Sequence, residues 1–390
     1  MMGAVSLGFS GLQSFAQHKE PLVSPLGFGP LEPQGILELP KGFSYKIIAQ
    51  KGSTMSDGLL LPGRADGMGT FEGKDGRVIL IRNHENSPAY LVESPFGYSN
   101  QHLSKINPKK LFDSGYGKYP HLGGTTTSIY NEKTQTVEKV FMSLAGTARN
   151  CAGGTTPWGS WLTCEEYVVS KNATHAKDHG YVFEVPATET PYIKYPVPLR
   201  AMGRFNHEAV AVDPRTGIVY LTEDRSDGLF YRFIPKVKGE LHKGGQLQAL
   251  VFVWKKGMDT RNWTTATIEE GTGYSVRWID MTDVEAPKDD LRYRGFKEGA
   301  AMFARGEGIW FGEGELYFAC TNGGRLKTGQ IFKYVPSRYE GTKREEESKY
   351  SGRLHLYSEP NDTSVLRYCD NLTVAPWGDV VFCELSLIHI

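Results

Sequence analysis

The chain has no excess of charge of either sign: 44 Lys+Arg stand against 44 Asp+Glu in 390 residues. That balance removes the electrostatic case for nucleic acid or an anionic membrane as a partner. Cysteines are few. There are five, none in a CxxC pair, and the odd count argues against both a zinc ribbon and a disulfide framework. Cys164, Cys320 and Cys383 sit in apolar strand patterns and read as buried small hydrophobes. No apolar run is long enough to span a bilayer, so no stable membrane association is expected. Segments with a helical period are scarce. Glycine (45 residues) and aromatics (12%) are plentiful instead, which favours an all-β protein with many turns.

Residues 203–225, "GRFNHEAVAVDPRTGIVYLTEDR", read as two short strands joined by Asp213-Pro214-Arg215-Thr216-Gly217. Closing that hairpin brings His207-Glu208 beside Glu223-Asp224. The plan recurs in "GGTTPWGSWLTCEE" (153–166), "GEGIWFGEGELYFACTNGG" (306–324) and "DNLTVAPWGDVVFCE" (370–384), with a looser copy in "DGMGTFEGKDGRVILIRNHEN" (66–86). Several copies continue into a third strand that ends in proline: "GYVFEVP", "GLFYRFIP" and "GQIFKYVP". A multi-strand unit recurring with insertions is the signature of a β-propeller. The expected fold is therefore an all-β propeller of about six blades, the last incomplete, with inserted loops concentrated in 225–300.

In a propeller the innermost strands converge on a central channel, so matching positions of different repeats meet there. Before the first strand those positions are Asp66, Cys151, His207-Glu208, Glu307 and Asp370-Asn371. After the second they are Asn83-His84-Glu85, Glu165-Glu166, Glu223-Asp224, Asn322 and Glu384. Facing carboxylates repel one another unless neutralised, and metal ions neutralise them economically. So many oxygen donors suit hard cations, Ca2+ first. Cys151, in the glycine-rich "RNCAGGTTPWGSW", adds a thiolate that suggests a softer or more highly charged ion such as iron. His84 and His207 are isolated and read as structural. Arg305 lies two residues before Glu307, on the same face of an extended segment. It either binds a phosphoryl group through its fork or closes the channel as an ion pair.

Together "RNHEN", "NCAGGTTPWGSWLTCEE", "GRFNHEAVAVDPRTGIVYLTEDR", "FARGEGIWFGEGELYFACTNGG" and "DNLTVAPWGDVVFCE" resemble the PhoX-type alkaline phosphatases, from about residue 60 to Glu384. The resemblance implies an exported bacterial propeller enzyme that hydrolyses small-molecule phosphate monoesters at a mixed Ca2+ and Fe3+ cluster. It implies that Cys151 is the thiolate ligand of iron, that Glu165 or Glu166, Glu208 and Glu307 ligate metal, and that Arg305 clamps the phosphate. With the repeat positions added, the expected metal ligands are Cys151, Glu165, Glu166, Glu208, Glu307, Glu85, Asp224, Asp370 and Glu384. Arg305, Glu307 and Cys151 are the expected catalytic residues, and Arg305 and Asn83 the substrate contacts. Two alternatives use the same carboxylates: a calcium-dependent lactonase or esterase propeller, and a non-catalytic binding propeller pinned by calcium.

The expected organisation is a remnant of an export signal in 1–20, one propeller domain in 21–384 and a non-native tail in 385–390. In the family "CE" at 383–384 would continue with Asp-Gly, whereas Leu385 follows here. The chain is thus expected to be truncated before its last blade closes. It is expected to be a monomer, periplasmic or extracellular.

Overall fold

The structure, a computed structural model, describes residues 31–347 and 351–385. The export-like segment 1–20 and the tail residues 386–390 lie outside the described residues. Five antiparallel units follow one another along the chain. The first is Ala65–Glu72, Arg77–His84, Gly123–Asn131 and Thr136–Thr147; the second is Asn150–Thr155, Ser160–Glu165 and Val182–Pro186. The third is His207–Val212, Val219–Glu223, Gly228–Pro235 and Gly245–Phe252; the fourth is Gly306–Phe311, Leu316–Cys320, Gln330–Val335 and Gly352–Ser358. The fifth is the two-stranded Cys369–Val374 and Val380–Glu384. This is a propeller-like arrangement, and its fifth unit has two strands among the described residues.

The expectation of inserted loops through 225–300 needs correction. That stretch supplies the third blade's outer strands, the helix Leu291–Glu298 and the strand Gly273–Asp280. The last of these pairs with Gly245–Phe252 on one side and with Gly352–Ser358 on the other, joining the third and fourth blades into one ten-stranded sheet. Its partners are distant in sequence and its side chains only half-buried, so no clean alternation announces it.

Apolar side chains of these strands fill the gaps between blades. Ile81, Phe141, Trp161 and Phe183 pack between the first and second blades, and Leu162, Val182, Val210, Leu221 and Tyr231 between the second and third. Between the third and fourth, Phe230, Phe318 and Phe332 form a stack with ring centroids 4.4 and 5.1 Å apart. Each such fully buried ring contributes about 1.5–3 kcal/mol. Cys164 and Cys320 are buried in these layers. Cys383, expected to be buried, is exposed, because its strand is the outer one of a two-stranded unit and nothing among the described residues covers that face.

The inner strands approach closely where glycine permits it. A Cβ on Gly154 would stand 2.0 Å from the Val210 carbonyl oxygen, and one on Gly308 2.6 Å from the Asn371 Cα. This tight seating brings one face of each blade to the same axis.

Candidate metal centre

One local device recurs in all five blades. The first two strands pair at Ala65 with His84, Asn150 with Glu165, His207 with Glu223, Gly306 with Cys320 and Cys369 with Glu384. Each register then breaks and resumes three residues on in the first strand but two back in the second. That is a one-residue β-bulge, which re-aims the side chain it carries. The residues entering the bulges are Asp66, Cys151, Glu208, Glu307 and Asp370: four carboxylic acids and one thiol in equivalent places.

The residue two positions before each bulge follows a second rule. Its carbonyl accepts from the amide just past the second strand: Glu85 N to Arg64 O (2.8 Å), Glu166 N to Arg149 O (3.0 Å), Asp224 N to Asn206 O (3.1 Å), Thr321 N to Arg305 O (3.0 Å) and Leu385 N to Tyr368 O (3.0 Å). Arg64, Arg149, Arg305 and Tyr368 hold left-handed backbone there, with φ of 45–55°. Non-glycine residues pay roughly 1–2 kcal/mol for that conformation, a strain typical of functional sites. It sets Glu85, Glu166 and Asp224 beside the bulge residues.

Two groups of donor atoms result. Cys151 Sγ and carboxylate oxygens of Glu166 and Glu208 lie within 4.8 Å of one another, as do oxygens of Glu208, Asp224 and Glu307. Glu208 belongs to both. Asp370 adds a hydrogen bond with Glu307. Three guanidiniums border these acids. Arg305 donates from Nε and Nη2 to Asp224 (2.8 Å each) and from Nη2 to Glu307 (2.9 Å). Arg149 reaches Glu166 (2.6 Å) and Glu85 (3.1 Å), and Arg64 reaches Glu85 (3.1 Å). Asn206 donates to Glu166 at 2.8 Å.

Seven carboxyl groups (Asp66, Glu85, Glu166, Glu208, Asp224, Glu307 and Asp370) thus face three arginines, with Glu208, Asp224 and Glu307 buried and the other four half-buried. Burial first, then Asp370 and Glu85, push the Asp66 carboxyl up to about 8. Burial and then Asp224 raise Glu166 to about 7. Glu208 and Glu307 are held well above the ordinary range by burial, then by Glu166 and Asp224 respectively, and burial likewise raises the Cys151 thiol. An apolar or purely hydrogen-bonded role would not gather acids that suppress one another's ionisation. A donor set rich in carboxylate oxygen with one sulfur fits resident metal cations.

The metal-free protein carries a pH signature. A carboxyl whose folded pKa is raised keeps its proton where the unfolded chain has lost it, so folding stability falls with rising pH. The window for Asp66 runs from 3.8 to about 8 and for Glu166 from 4.5 to about 7. Chelated protein is expected to lose stability steadily from pH 4 to 8, by about 1.4 kcal/mol per pH unit for each proton retained. Adding metal should flatten or reverse that slope. Urea melts across the pH range test this, and a metal-free stability that rises toward pH 8 would refute the electrostatic account.

Of the residues expected at the site, Cys151, Glu166, Glu208, Asp224, Glu307 and Asp370 come together, with Glu85 at the border. Three lie elsewhere. Glu165 points away from Glu166, accepting from the amides of Ala148 (3.0 Å) and Gly180 (2.9 Å) and meeting His179 Nδ1 at 2.7 Å. Glu384 takes the equivalent place in its blade and accepts from the Arg367 amide at 2.7 Å. Asn83, expected to contact substrate, is fully buried. Its amide braces the Cys151 and Ala152 carbonyls at 3.1 and 2.8 Å and accepts from Trp161 and Thr163. His84 and His207 bond to the carbonyls of Gly63 and Gly203.

Sequence reasoning aligns Asp66 with the other bulge residues without counting it as a ligand, and it passes over Arg64, Arg149 and Asn206. The signal for those three was present. Each stands two residues before a bulge residue, the spacing of Arg305 and Glu307.

Comparison with known proteins identifies the family and the fold. A model of the family "Alkaline phosphatase PhoX" matches residues 26–385. Among solved structures, Pseudomonas fluorescens PhoX in complex with vanadate, described as a transition state analogue, is similar at 16% identity. The match covers 84% of this chain and 75% of that one, with a TM-score of 0.55. A glucose dehydrogenase matches at 12% identity over 83% of each chain, with a TM-score of 0.36. A second protein described as a glucose dehydrogenase, from Thermus thermophilus, matches at 11% identity over 84% of this chain and 86% of that one, with a TM-score of 0.34. No curated protein matches.

Proposed function

The chain belongs to the PhoX alkaline phosphatase family, metal-dependent hydrolases of phosphate monoesters, and we propose that its cofactors are Ca2+ and Fe3+ held at the bulge residues around the channel. Membership replaces the lactonase and binding-propeller alternatives. The observation that carries the finer reading is the fivefold bulge, which collects four carboxylic acids and one thiol at equivalent positions. Cys151, Glu166 and Glu208 would hold iron, the softer donor going to the more highly charged ion. Glu208, Asp224, Glu307, Asp370 and Asp66 would hold calcium through oxygen alone. The bound cations would polarise the phosphate and supply an activated oxygen nucleophile.

The protein's own contribution is a ring of guanidinium edges. Arg305, Arg149 and Arg64 are each anchored to carboxylates through Nε or Nη2, and the Nη1 of each has no hydrogen-bond partner among the described residues. Their side chains are 30–40% exposed, so these edges reach solvent. Arg305 would meet the phosphoryl oxygens with this one edge rather than with its whole fork, because Asp224 and Glu307 occupy the other. A guanidinium already fixed in place stabilises developing negative charge without reorganising. Both roles weighed for Arg305 from sequence, ion pair and phosphate ligand, are thereby compatible.

Export to the periplasm or the extracellular space and a monomeric state complete the proposal. No helix among the described residues is long and apolar enough to cross a membrane.

The test is metal analysis of the purified protein together with p-nitrophenyl phosphate hydrolysis before and after chelation. Iron and calcium together are expected, with hydrolysis lost on chelation. Cys151→Ala is expected to lose the iron and the activity while calcium remains. Calcium without iron, in a folded and active protein, would overturn the assignment of the thiolate.

A further inference from the structure

Glu165 leads away from the channel to a second group of ligating side chains. Asp113, His121 and His179 are all fully buried, and Asp113 Oδ2 and a ring nitrogen of each histidine lie within 4.8 Å of one another. Asp113 Oδ2 stands 3.2 Å from His179 Nε2 and 3.7 Å from His121 Nε2. The two imidazoles stack with centroids 4.1 Å apart and planes 12° from parallel.

The hydrogen bonds around this cluster are those of a ligand set. His179 turns its other nitrogen, Nδ1, to Glu165 Oε1 at 2.7 Å. A carboxylate that takes one imidazole N–H fixes the tautomer and presents the opposite lone pair, as in carboxylate–histidine–metal arrangements. Asp113 is itself held by the amides of Gly115 (2.7 Å) and Lys177 (3.0 Å). His121 is the decisive residue. It is buried, yet neither ring nitrogen has a hydrogen-bond partner among the described residues. An imidazolium at His179 would satisfy Glu165 and Asp113 but would leave both His121 nitrogens without a hydrogen bond. A cation ligated by Asp113, His121 and His179 would give His121 a partner at one ring nitrogen, Nε2 being the one that stands 3.7 Å from Asp113 Oδ2.

We propose that Asp113, His121 and His179 form a structural site for a divalent transition ion, zinc by donor preference, separate from the channel cluster. Two imidazoles and one carboxylate are borderline donors that suit zinc and not calcium. The ion would pin the segment carrying Asp113 and His121, inserted in the first blade, to the start of the second blade's third strand at Val182–Pro186. With the site fully buried, it is taken up as the chain folds. Through Glu165 it also steadies the strand end that carries Glu166.

The test uses the full chain and Zn2+, with Cys151→Ala as background so that no thiolate competes. This variant and Cys151→Ala/His121→Ala are unfolded in urea, refolded in the presence of zinc, dialysed and assayed for metal. The background is expected to retain roughly one equivalent more than the double variant, as for a structural site with strong binding. X-ray absorption at the zinc edge of the background variant is expected to show imidazole in the coordination shell, which the channel donors cannot supply. Should the double variant fail to fold, that spectrum decides alone. Equal zinc in both variants, or a shell of oxygen without imidazole, would overturn the proposal, and neither result bears on the phosphatase reading.

Discussion

Arg305→Ala lowers p-nitrophenyl phosphate turnover by about two to three orders of magnitude, the usual loss when one preorganised charge donor is removed from a transition state. The expectation follows from how the side chain is held. Two bonds to Asp224 and one to Glu307 fix the guanidinium while Nη1 stays open. Alanine removes the open edge and also leaves Asp224 and Glu307 without their counter-charge. Arg305→Lys should restore little, since an ammonium cannot hold the carboxylates and face a phosphoryl oxygen together. The loss should fall mainly on kcat, because charge builds on the phosphoryl oxygens as the bond to the leaving group breaks. A variant within about fivefold of the parent would place Arg305 outside the chemistry and leave it as a channel ion pair.

Glu208→Gln is the second large effect. Glu208 alone belongs to both donor groups, so its replacement damages both. Glutamine nevertheless has the shape of a protonated glutamic acid. Burial and then Glu166 raise the Glu208 carboxyl well above its ordinary range, which favours that form when no cation is present. The metal-free variant should therefore melt close to the metal-free parent, while the stabilisation gained on adding metal mostly disappears. Hydrolysis should drop by about a thousandfold, equivalent to roughly 4 kcal/mol of barrier. Paired thermal melts with and without metal check the first statement, and steady-state kinetics the second. A metal-free variant much less stable than its parent would mean that Glu208 is ionised and paired in a way these contacts do not explain.

The propeller was legible in the sequence because its unit repeats: two strands, a turn and acids at the ends. The convergence of Cys151, Glu208, Glu307 and Asp370 followed from that repetition. The side each acid faces did not. Glu165 and Glu166 are neighbours in a strand end, and strand geometry sends neighbours to opposite faces. Which one meets the channel depends on the bulge opposite, whose register a single residue shifts. His179, 14 residues downstream, then gives Glu165 a partner that no local pattern reveals. Asn83 is hidden for the same reason: its four partners come from the second blade, 68–80 residues away. Arg64 and Arg149 were within reach, since the two-residue spacing that singled out Arg305 holds for them too.

The strand Gly273–Asp280 has a bearing on which ions the centre will accept. It makes the third and fourth blades a single continuous sheet, so Glu208, Asp224, Arg305 and Glu307 ride on one stiff body. Asp66 and Cys151 ride on the first and second blades, whose sheets are separate from this body. Cations bound by Glu208, Asp224 and Glu307 would meet donors carried by one sheet, whereas those bound by Cys151, Glu166 and Glu208 would meet donors from two. Discrimination by ion size is then expected to be stricter at the group made by Glu208, Asp224 and Glu307 than at the thiolate group.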